Sequence, residues 1–206
     1  MKQNFKLLEE NMDTKIVLTE LSKFLETHEW SDLRSKNIKY HNQTKHISLR
    51  DHKLNKQNSN IEYYRNSGNI ITNRYAAPYF TKTFSLLKSF EDKIGGQLER
   101  VMIVALDGNA TVKAHIDLGS YYSQRDRYHL AVTTKNSINF CGDESQIYKT
   151  GELWWFDNKK LHSVENKTQE VRIHLIFDIL KKKKDWKRKT TDMVEKIFFN
   201  IIAKLL

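Results

Sequence analysis

Two histidines and one aspartate are spaced so that they could bind one metal ion together. His115 and Asp117 lie two residues apart, and His162 follows far downstream. Residues two apart on a β-strand point to the same face, so an imidazole and a carboxylate would lie side by side. Two imidazole nitrogens and one carboxylate oxygen can hold one face of a metal and leave the other face open. The spacing therefore predicts a metal site with open coordination positions.

Arg172 would add a cation to this site. It lies in an apolar run from Val171 to Asp178 that alternates as a β-strand does, and it shares one face of that strand with His174. An arginine is always charged and presents a planar fork, so it can hold a carboxylate with two hydrogen bonds. Non-haem Fe(II) oxygenases use a site of two histidines and a carboxylate, and one class of them needs a cation for 2-oxoglutarate. The four residues indicate an oxidising enzyme; an ordinary surface ion pair is the alternative for Arg172.

The composition is that of an ordinary globular chain. Its 206 residues are 39% hydrophobic and 11% aromatic, which is enough to bury a substantial core. The single cysteine, Cys141, excludes an internal disulfide, and no basic neighbour in sequence suggests a nucleophilic role for it. The first residues lack the apolar stretch of a secretory signal, and no run approaches the roughly 18 apolar residues of a transmembrane span. We therefore expect a cytoplasmic protein.

The net charge of +10 is unevenly distributed along the chain. Seven lysines and arginines fall within the nine residues from Lys181 to Lys189. A basic cluster provides only the electrostatic part of nucleic-acid binding, so we do not expect nucleic acid to be a partner.

Short β-strands must position the predicted site. Eight β-like runs, separated by turn residues, cover 98–106, 111–117, 127–133, 137–141, 146–149, 152–156, 160–165 and 171–179. So many short strands in about eighty residues predict a sandwich or small barrel, and the jelly roll is the commonest such closure. The predicted fold is mainly β with flanking helices, around a double-stranded β-helix (jelly-roll, cupin-like) core.

Helices are predicted before this core. Residues 14–27 carry apolar side chains at helical spacing, and a second helix over 85–93 ends at two glycines. The polar stretch 41–60 is interpreted as a solvated loop or mobile cover. Its histidines lack close carboxylate or cysteine partners in sequence, and we expect them on the surface; they are His41, His46 and His52.

The chain is accordingly divided into three regions. Residues 1–97 form a helical and loop region that packs on the core, residues 98–180 form the core, and residues 181–206 form a basic tract with a C-terminal amphipathic helix. The apolar face of that last helix suits docking on the core or contact with a second copy in a homodimer. A helix lying on a membrane surface is the alternative.

The order of motifs in the core resembles that of a known enzyme family. The motifs are His115-x-Asp117, Arg127-x-His129-Leu130, Trp155-x-Asp157, His162-Ser163-Val164-x-Asn166-x-Thr168, Arg172-x-x-Leu175 and Asp178. The set is similar to the aspartyl/asparaginyl β-hydroxylase family of Fe(II)- and 2-oxoglutarate-dependent dioxygenases. The resemblance implies Fe(II) as the metal, 2-oxoglutarate as cosubstrate and O2 as oxidant.

The resemblance also implies roles for individual residues. His115 and His162 correspond to the iron ligands and Arg172 to the anchor of 2-oxoglutarate. Arg127 and His129 resemble a pair that also contacts the cosubstrate, with a charged turn as the alternative for Arg127. Some family members have glycine where this chain has Asp117, so the carboxylate ligand is predicted from triad chemistry instead.

The implied reaction is hydroxylation of an amino-acid side chain of the Asp or Asn type, with release of succinate and CO2. The substrate could be a free amino acid, a peptide or a protein. The loop from Leu118 to Asp126, with Tyr121 and Tyr122, is the candidate substrate-facing cover. A non-catalytic jelly-roll module that docks nucleic acid or an anionic surface through the basic tail is the alternative function. Intact residues at all three metal positions favour the enzyme, because a decayed site should have lost at least one.

Overall fold

Two antiparallel β-sheets enclose the region in which the site was predicted. The protein is represented by a computed structural model that describes residues 3–52 and 70–181. The larger sheet has the strand order β1-β9-β6-β11-β4-β2-β3, and the smaller has the order β5-β10-β7-β8. All the strand pairs are antiparallel. The predicted fold class, mainly β with a jelly-roll core and flanking helices, is confirmed.

The strands have the following bounds. They are β1 Phe5–Glu9, β2 Thr44–His52, β3 Ile70–Thr72, β4 Gly96–Leu106, β5 Thr111–His115, β6 Arg125–Thr133, β7 Ile138–Cys141, β8 Glu144–Ile147, β9 Leu153–Phe156, β10 His162–Glu165 and β11 Arg172–Lys181. The helices are α1 Lys15–Leu25, α2 Leu33–Asn37, α3 Thr81–Ile94 and α4 Ser120–Ser123, with single 3-10 turns at Lys39–His41 and Ala77–Tyr79.

The larger sheet has a helix-covered face and a face turned toward the smaller sheet. On the first face, Phe24 of α1 and Leu87 of α3 belong to one buried apolar cluster with Val101, Leu130 and Phe177 of the sheet. Residues on the opposite face alternate with these along each strand, as the β-pleat requires. That second face carries three buried polar side chains of the predicted site, Arg127, His129 and Arg172.

The eight strands predicted from sequence are all present, and in the described part of the chain three further strands, β1, β2 and β3, extend the larger sheet. The expectation of a solvated loop over 41–60 is wrong for most of its described part, because β2 pairs with β4 from Thr44 to Arg50 and with β3 from Arg50 to His52. His41 and His52 are buried, so their predicted surface position is wrong as well. Only Ile47 and Leu49 supply the apolar alternation of β2, and two residues are too few to stand out in a polar stretch.

Both predicted helices are confirmed, with a shift at one end. The second helix begins at Thr81, four residues before its predicted start. The carboxylate of Glu20 accepts hydrogen bonds from the backbone N–H groups of Lys82 and Thr83. A long-range contact thus caps the helix, and local sequence does not reveal it. Gly95 ends the helix in the left-handed conformation at φ 74°, as its predicted C-cap requires.

Some expectations fall on parts of the chain outside the described residues. They include the C-terminal amphipathic helix, most of the basic tract and residues 53–60 of the polar stretch. The homodimer contact through that helix stays a prediction. So do the boundaries at residues 97 and 180, although β1, β2 and β3 show that the first region contributes strands to the main sheet. Among the described helices, none combines the length and apolarity needed to cross a bilayer.

Candidate active site

The three residues predicted to bind a metal come together at the rim of the smaller sheet. His115 ends β5 and His162 begins β10, and the two residues face each other in the antiparallel pair. Their ring centroids are 4.2 Å apart. Asp117 follows β5, and one potential ligand atom from each of the three residues lies within 4.8 Å of the others. All three side chains are buried.

The imidazoles are oriented by the backbone. Nδ1 of His115 lies 2.8 Å from the carbonyl oxygen of Lys113, and Nδ1 of His162 lies 2.9 Å from that of Lys160. A carbonyl only accepts, so each Nδ1 carries the proton and donates it. The lone pair of each ring is therefore on Nε2. A histidine that binds a metal through one ring nitrogen usually donates a hydrogen bond from the other, which fixes the orientation of the ring.

Asp117 is oriented by two donors on one of its oxygens. Its Oδ2 accepts hydrogen bonds from Nη1 of Arg127 at 2.6 Å and from Nδ2 of Asn158 at 2.9 Å. Arg127 is itself fixed, because its Nε and Nη2 donate to the carboxylate of Asp178 at 2.8 and 3.0 Å. Oδ1 of Asp117 is left facing His115, with 4.0 Å between it and Nε2.

The protonation states suit a metal. Burial, followed by the neighbouring charge of His162, lowers the pKa of His115 to about 4. Burial also lowers the pKa of His162. For Asp117 burial, the largest single effect, would raise the pKa, but the Arg127 guanidinium, the hydrogen bond from Asn158 and the neighbouring histidines together outweigh burial and hold the pKa well below its usual range. Two neutral imidazoles and an ionised carboxylate are the forms that bind a divalent metal at neutral pH, so these residues fit the predicted ion.

Arg172 is a buried cation without a carboxylate partner. It begins β11 and is 3% exposed. Its Nη2 lies 3.0 Å from Oδ1 of Asn139 and 2.8 Å from Nδ1 of His174, while its Nε has no hydrogen-bond partner. Within residues 3–52 and 70–181 it forms no ion pair. Burial lowers its pKa to about 10, which still leaves it protonated at neutral pH.

Two buried histidines stand beside this arginine. His174 accepts from Arg172, so its proton is on Nε2, and its Nδ1 lies 3.4 Å from Nδ1 of His129. Tyr148 stacks on His174 with an interplanar angle of 13°. The Nε2 atoms of both histidines have no partner. Burial and then the charge of Arg172 lower the pKa values of both rings well below the ordinary value, so both are neutral.

One pocket between the two sheets joins the two histidines of the triad to Arg172. His115 and His162 line it together with His129 and Arg172, and apolar side chains of both sheets form much of its wall. Among residues 3–52 and 70–181, three arginines and no carboxylate line this pocket: the arginines are Arg34, Arg127 and Arg172. The pocket combines potential metal ligands with cations that would attract an anionic ligand.

Comparison with known families agrees with this geometry. A model of the family described as aspartyl/asparaginyl beta-hydroxylase matches residues 13–182. The chain belongs to this family. The protein is therefore an oxygenase of the class that uses Fe(II) and 2-oxoglutarate, and the match reaches well beyond the stretch 98–180 in which the resemblance was seen. No curated protein matches the sequence significantly.

Solved structures share the fold with little sequence identity. A 2OG-Fe(II) oxygenase family oxidoreductase from Burkholderia pseudomallei is 9% identical, with a TM-score of 0.57 over 86% of this chain and 84% of that one. HygX from Streptomyces hygroscopicus, solved with nickel and 2-oxoglutarate bound, is 11% identical with a TM-score of 0.54 over 86% and 83%. A Pseudomonas putida prolyl-4-hydroxylase is 10% identical with a TM-score of 0.51 over 88% and 95%.

The structure brings the six predicted site residues together. Five of them line the pocket, and Asp117 lies beside His115 and His162. The environment of Arg127 differs from the predicted one. Arg127 was predicted to contact the cosubstrate with His129; its guanidinium is engaged by Asp117 and Asp178. Its cosubstrate contact stays a prediction. Tyr121 was expected to face a substrate, which is wrong, because it is buried and its hydroxyl donates to Asp178 at 3.2 Å. Tyr122 is half-buried and stays a candidate for the cover.

Sequence reasoning missed three residues that lie next to the triad. Tyr40 stacks on the ring of His115, with centroids 4.1 Å apart and an interplanar angle of 16°. His41 packs edge-on against the same ring at 4.9 Å, and Arg34 contacts His41. All three precede β2, in a segment without a recognisable motif. Only the pairing of β2 with β4 brings them to the site, and that pairing was not predicted.

Proposed function

We propose that the protein hydroxylates an amino-acid side chain of the aspartyl or asparaginyl type, with iron held by His115, Asp117 and His162 and 2-oxoglutarate held by Arg172. One observation carries the proposal: two neutral metal-ligand histidines line one pocket with a buried arginine that has no anion among the described residues, and the ionised Asp117 lies beside those histidines. Membership of the hydroxylase family supports the substrate type.

The triad would bind Fe(II) through Nε2 of each histidine and Oδ1 of Asp117. Iron bound there supplies the oxidising chemistry, in which O2 converts 2-oxoglutarate to succinate and CO2 and an oxygen atom is transferred to the substrate. The chain's own contribution is orientation. The carbonyls of Lys113 and Lys160 fix the two rings, and Arg127 with Asn158 turns Asp117 toward them.

Arg172 would bind the distal carboxylate of 2-oxoglutarate. A buried guanidinium is costly unless it meets a hydrogen-bonded anion, and the described residues offer it none. Asn139 and His174 hold its Nη2 in place, which leaves Nε available to a ligand oxygen. The charge of the guanidinium would strengthen a hydrogen bond that Nε donates to a carboxylate.

The walls of the pocket would exclude water during the reaction. Its apolar lining includes Val104, Val112, Phe156, Val164 and Ile176. A dry pocket strengthens the electrostatic contacts made by the ligands and protects reactive species from side reactions. Such a wall suits insertion of oxygen into a C–H bond.

The proposal is tested by product analysis. The purified protein is supplied with Fe(II), 2-oxoglutarate and O2, together with N-acetyl-aspartate amide or N-acetyl-asparagine amide, and succinate and the amino-acid product are followed by mass spectrometry. We expect succinate that depends on Fe(II) and a product that gains an oxygen atom from isotopically labelled O2. Succinate release without labelled product from either compound or from a peptide library would contradict the proposed substrate type.

The alternative of a non-catalytic binding module has no support among the described residues. Lys181, the one residue of the basic tract that the structure describes, pairs with Asp126. The complete triad and the unpaired Arg172 are what a vestigial pocket would be expected to lose.

A further inference from the structure

Arg34 brings a second unpaired guanidinium into the pocket. It lies on α2 and lines the pocket that also contains His115 and His162. Its Nη2 donates to Nε2 of His41 at 2.5 Å, and its Nη1 lies 2.9 Å from Sδ of Met102, which is a weak acceptor. Its contacts include no carboxylate anywhere in the described part of the chain. The anchor predicted for 2-oxoglutarate, Arg172, has different contacts, so the two cations occupy different parts of the pocket.

Two buried donors remain unsatisfied around Arg34. Nε of Arg34 has no hydrogen-bond partner. A guanidinium only donates, so Nε2 of His41 must accept, and the proton of this ring is on Nδ1. That Nδ1 is also buried and without a partner. Few buried donors go unpaired in native proteins. The pair of donors therefore points to an acceptor that the described part of the chain does not supply.

The neighbouring charges are already balanced. Arg100 and Arg127 lie near enough to Arg34 to disfavour its charge, after the larger effect of burial, and its pKa falls to about 10. Arg34 therefore stays protonated at neutral pH. Arg100 is paired with Asp51 at 2.9 Å, and Arg127 with Asp117 and Asp178. Arg34 is left as the cation of this group without an anion.

Arg34 is also close to the predicted metal. The ring of His41 contacts Arg34 and also packs against His115, with the centroids of the two rings 4.9 Å apart. Tyr40 stacks on the face of the His115 ring. A ligand group bound to Arg34 would thus lie beside the metal ligands, where a substrate must present its reacting carbon.

We propose that Arg34 binds a carboxylate of the primary substrate beside the metal ligands and so selects an anionic substrate. This inference rests on the proposed function and names the charge of its substrate. The carboxylate could be the side chain of an aspartyl residue or the α-carboxylate of a free amino acid. A neutral amide would leave the buried cation unpaired, so binding should discriminate against it.

Equilibrium binding of three probes separates these sources. The protein is loaded with Mn(II) and 2-oxoglutarate without O2, and is titrated by calorimetry with N-acetyl-aspartate amide, N-acetyl-asparagine and N-acetyl-asparagine amide. The first has only a side-chain carboxylate, the second only an α-carboxylate, and the third no charge. We expect one charged probe to bind at least about tenfold more tightly than the neutral probe, because only a carboxylate forms a charge-assisted hydrogen bond with Arg34. That probe identifies the source.

Two substitutions of Arg34 and one control assign the preference. In Arg34→Gln the preference for the charged probe should disappear, while Arg34→Lys should retain part of it. Arg74→Gln, which removes an exposed arginine stacked near Tyr75, should bind as the parent does.

Other results would overturn the proposal. Equal affinities for charged and neutral probes in the parent would do so, as would a preference that survives in Arg34→Gln. A loss of 2-oxoglutarate affinity in Arg34→Gln would instead make Arg34 part of the cosubstrate site. The same titrations record metal and 2-oxoglutarate binding by the parent. Failure of those would count against the proposed function, whereas intact binding without charge preference counts against Arg34 alone.

Discussion

Arg127 donates a hydrogen bond of 2.6 Å from Nη1 to Oδ2 of Asp117, and this contact decides which oxygen of Asp117 faces the histidines. With Asn158 on the same oxygen, Oδ1 is the atom left toward His115. Asp178 holds Arg127 from the other side. The proposed carboxylate ligand is thus positioned by the buried ion pairs of Arg127 with Asp117 and Asp178, without help from a metal.

Removing Asn158, the neutral residue that donates a hydrogen bond to Asp117, should weaken metal binding. Asn158→Ala deletes the donor to Asp117 and leaves the Arg127 pair in place. Since groups that orient a metal ligand typically contribute about 10- to 100-fold in affinity, we expect a loss of that size in Mn(II) binding. Calorimetric titration measures it. Asn109→Ala, which removes an exposed contact with Gln169, is the control and should leave the affinity unchanged. Parental affinity in a folded Asn158→Ala protein would show that Asp117 needs no such orientation.

Replacing Arg172 by leucine should weaken 2-oxoglutarate binding far more than metal binding. Losing the partner of a buried charged group costs roughly 2–5 kcal/mol, which is about 30- to several-thousand-fold in affinity. Arg172→Lys should be intermediate, because lysine keeps the charge but not the fork. Titration of the Mn(II)-loaded variants with 2-oxoglutarate gives the affinities. If Arg172→Leu bound within a few-fold of the parent, the anchor would lie elsewhere, with Arg127 the first alternative.

The metal-free protein should lose stability as the pH falls from neutral toward 4. The pKa values of His46 and His115 are both lowered to about 4, in each case mainly by burial. Between the unfolded pKa of about 6.5 and that value, the unfolded chain binds protons that the folded chain does not. Each histidine therefore contributes stability above pH 6.5 that is lost as the pH falls through this window, about 3 kcal/mol for a shift of this size.

Urea unfolding at a series of pH values tests this dependence. His46→Gln removes one of the two groups without touching a predicted metal ligand. We expect its free energy of unfolding to fall less steeply below pH 6.5 than that of the parent. Identical slopes for both proteins would mean that His46 is not held neutral by the fold.

Gly108 should not tolerate a side chain. A Cβ at this position would lie 2.3 Å from the carbonyl oxygen of Gln169, which is backbone and cannot swing away. Since overpacking of this kind costs typically about 1–3 kcal/mol, Gly108→Ala should lower the free energy of unfolding by that amount. Gly95→Ala is the comparison: it has φ +74° but nothing within 4 Å, so only backbone strain of about 1 kcal/mol applies. A Gly108→Ala protein more stable than Gly95→Ala would contradict the packing argument.

The core of the fold could be predicted because its signals are local. Alternating apolar residues identified the eight strands from β4 to β11, and a glycine pair marked the end of α3. The proximity of His115 and Asp117 could also be predicted from local sequence, since His115 ends β5 and Asp117 follows two residues later. His162 and Arg172 were assigned from the order of motifs, and the structure brings both to the same pocket.

The remaining parts depend on contacts between distant segments. β2 is a polar strand whose existence rests on pairing with β4, and without it Arg34 and His41 have no visible relation to His115. The environment of Arg127 is similar: the sequence shows a charged turn, whereas Asp178, which engages it, lies 51 residues away. Burial of Tyr121 could not be read from its loop for the same reason.

The assignment of the metal ligands is tested most directly by Fe(II) binding. Anaerobic titration of the parent, of Asp117→Ala and of His162→Ala gives three affinities, with His28→Ala as a control distant in sequence from the triad. We expect strong binding by the parent and the control, and a large loss of affinity in both triad variants, since each removes one of three proposed protein ligands. Folded Asp117→Ala and His162→Ala proteins that bind Fe(II) as the parent does would contradict it.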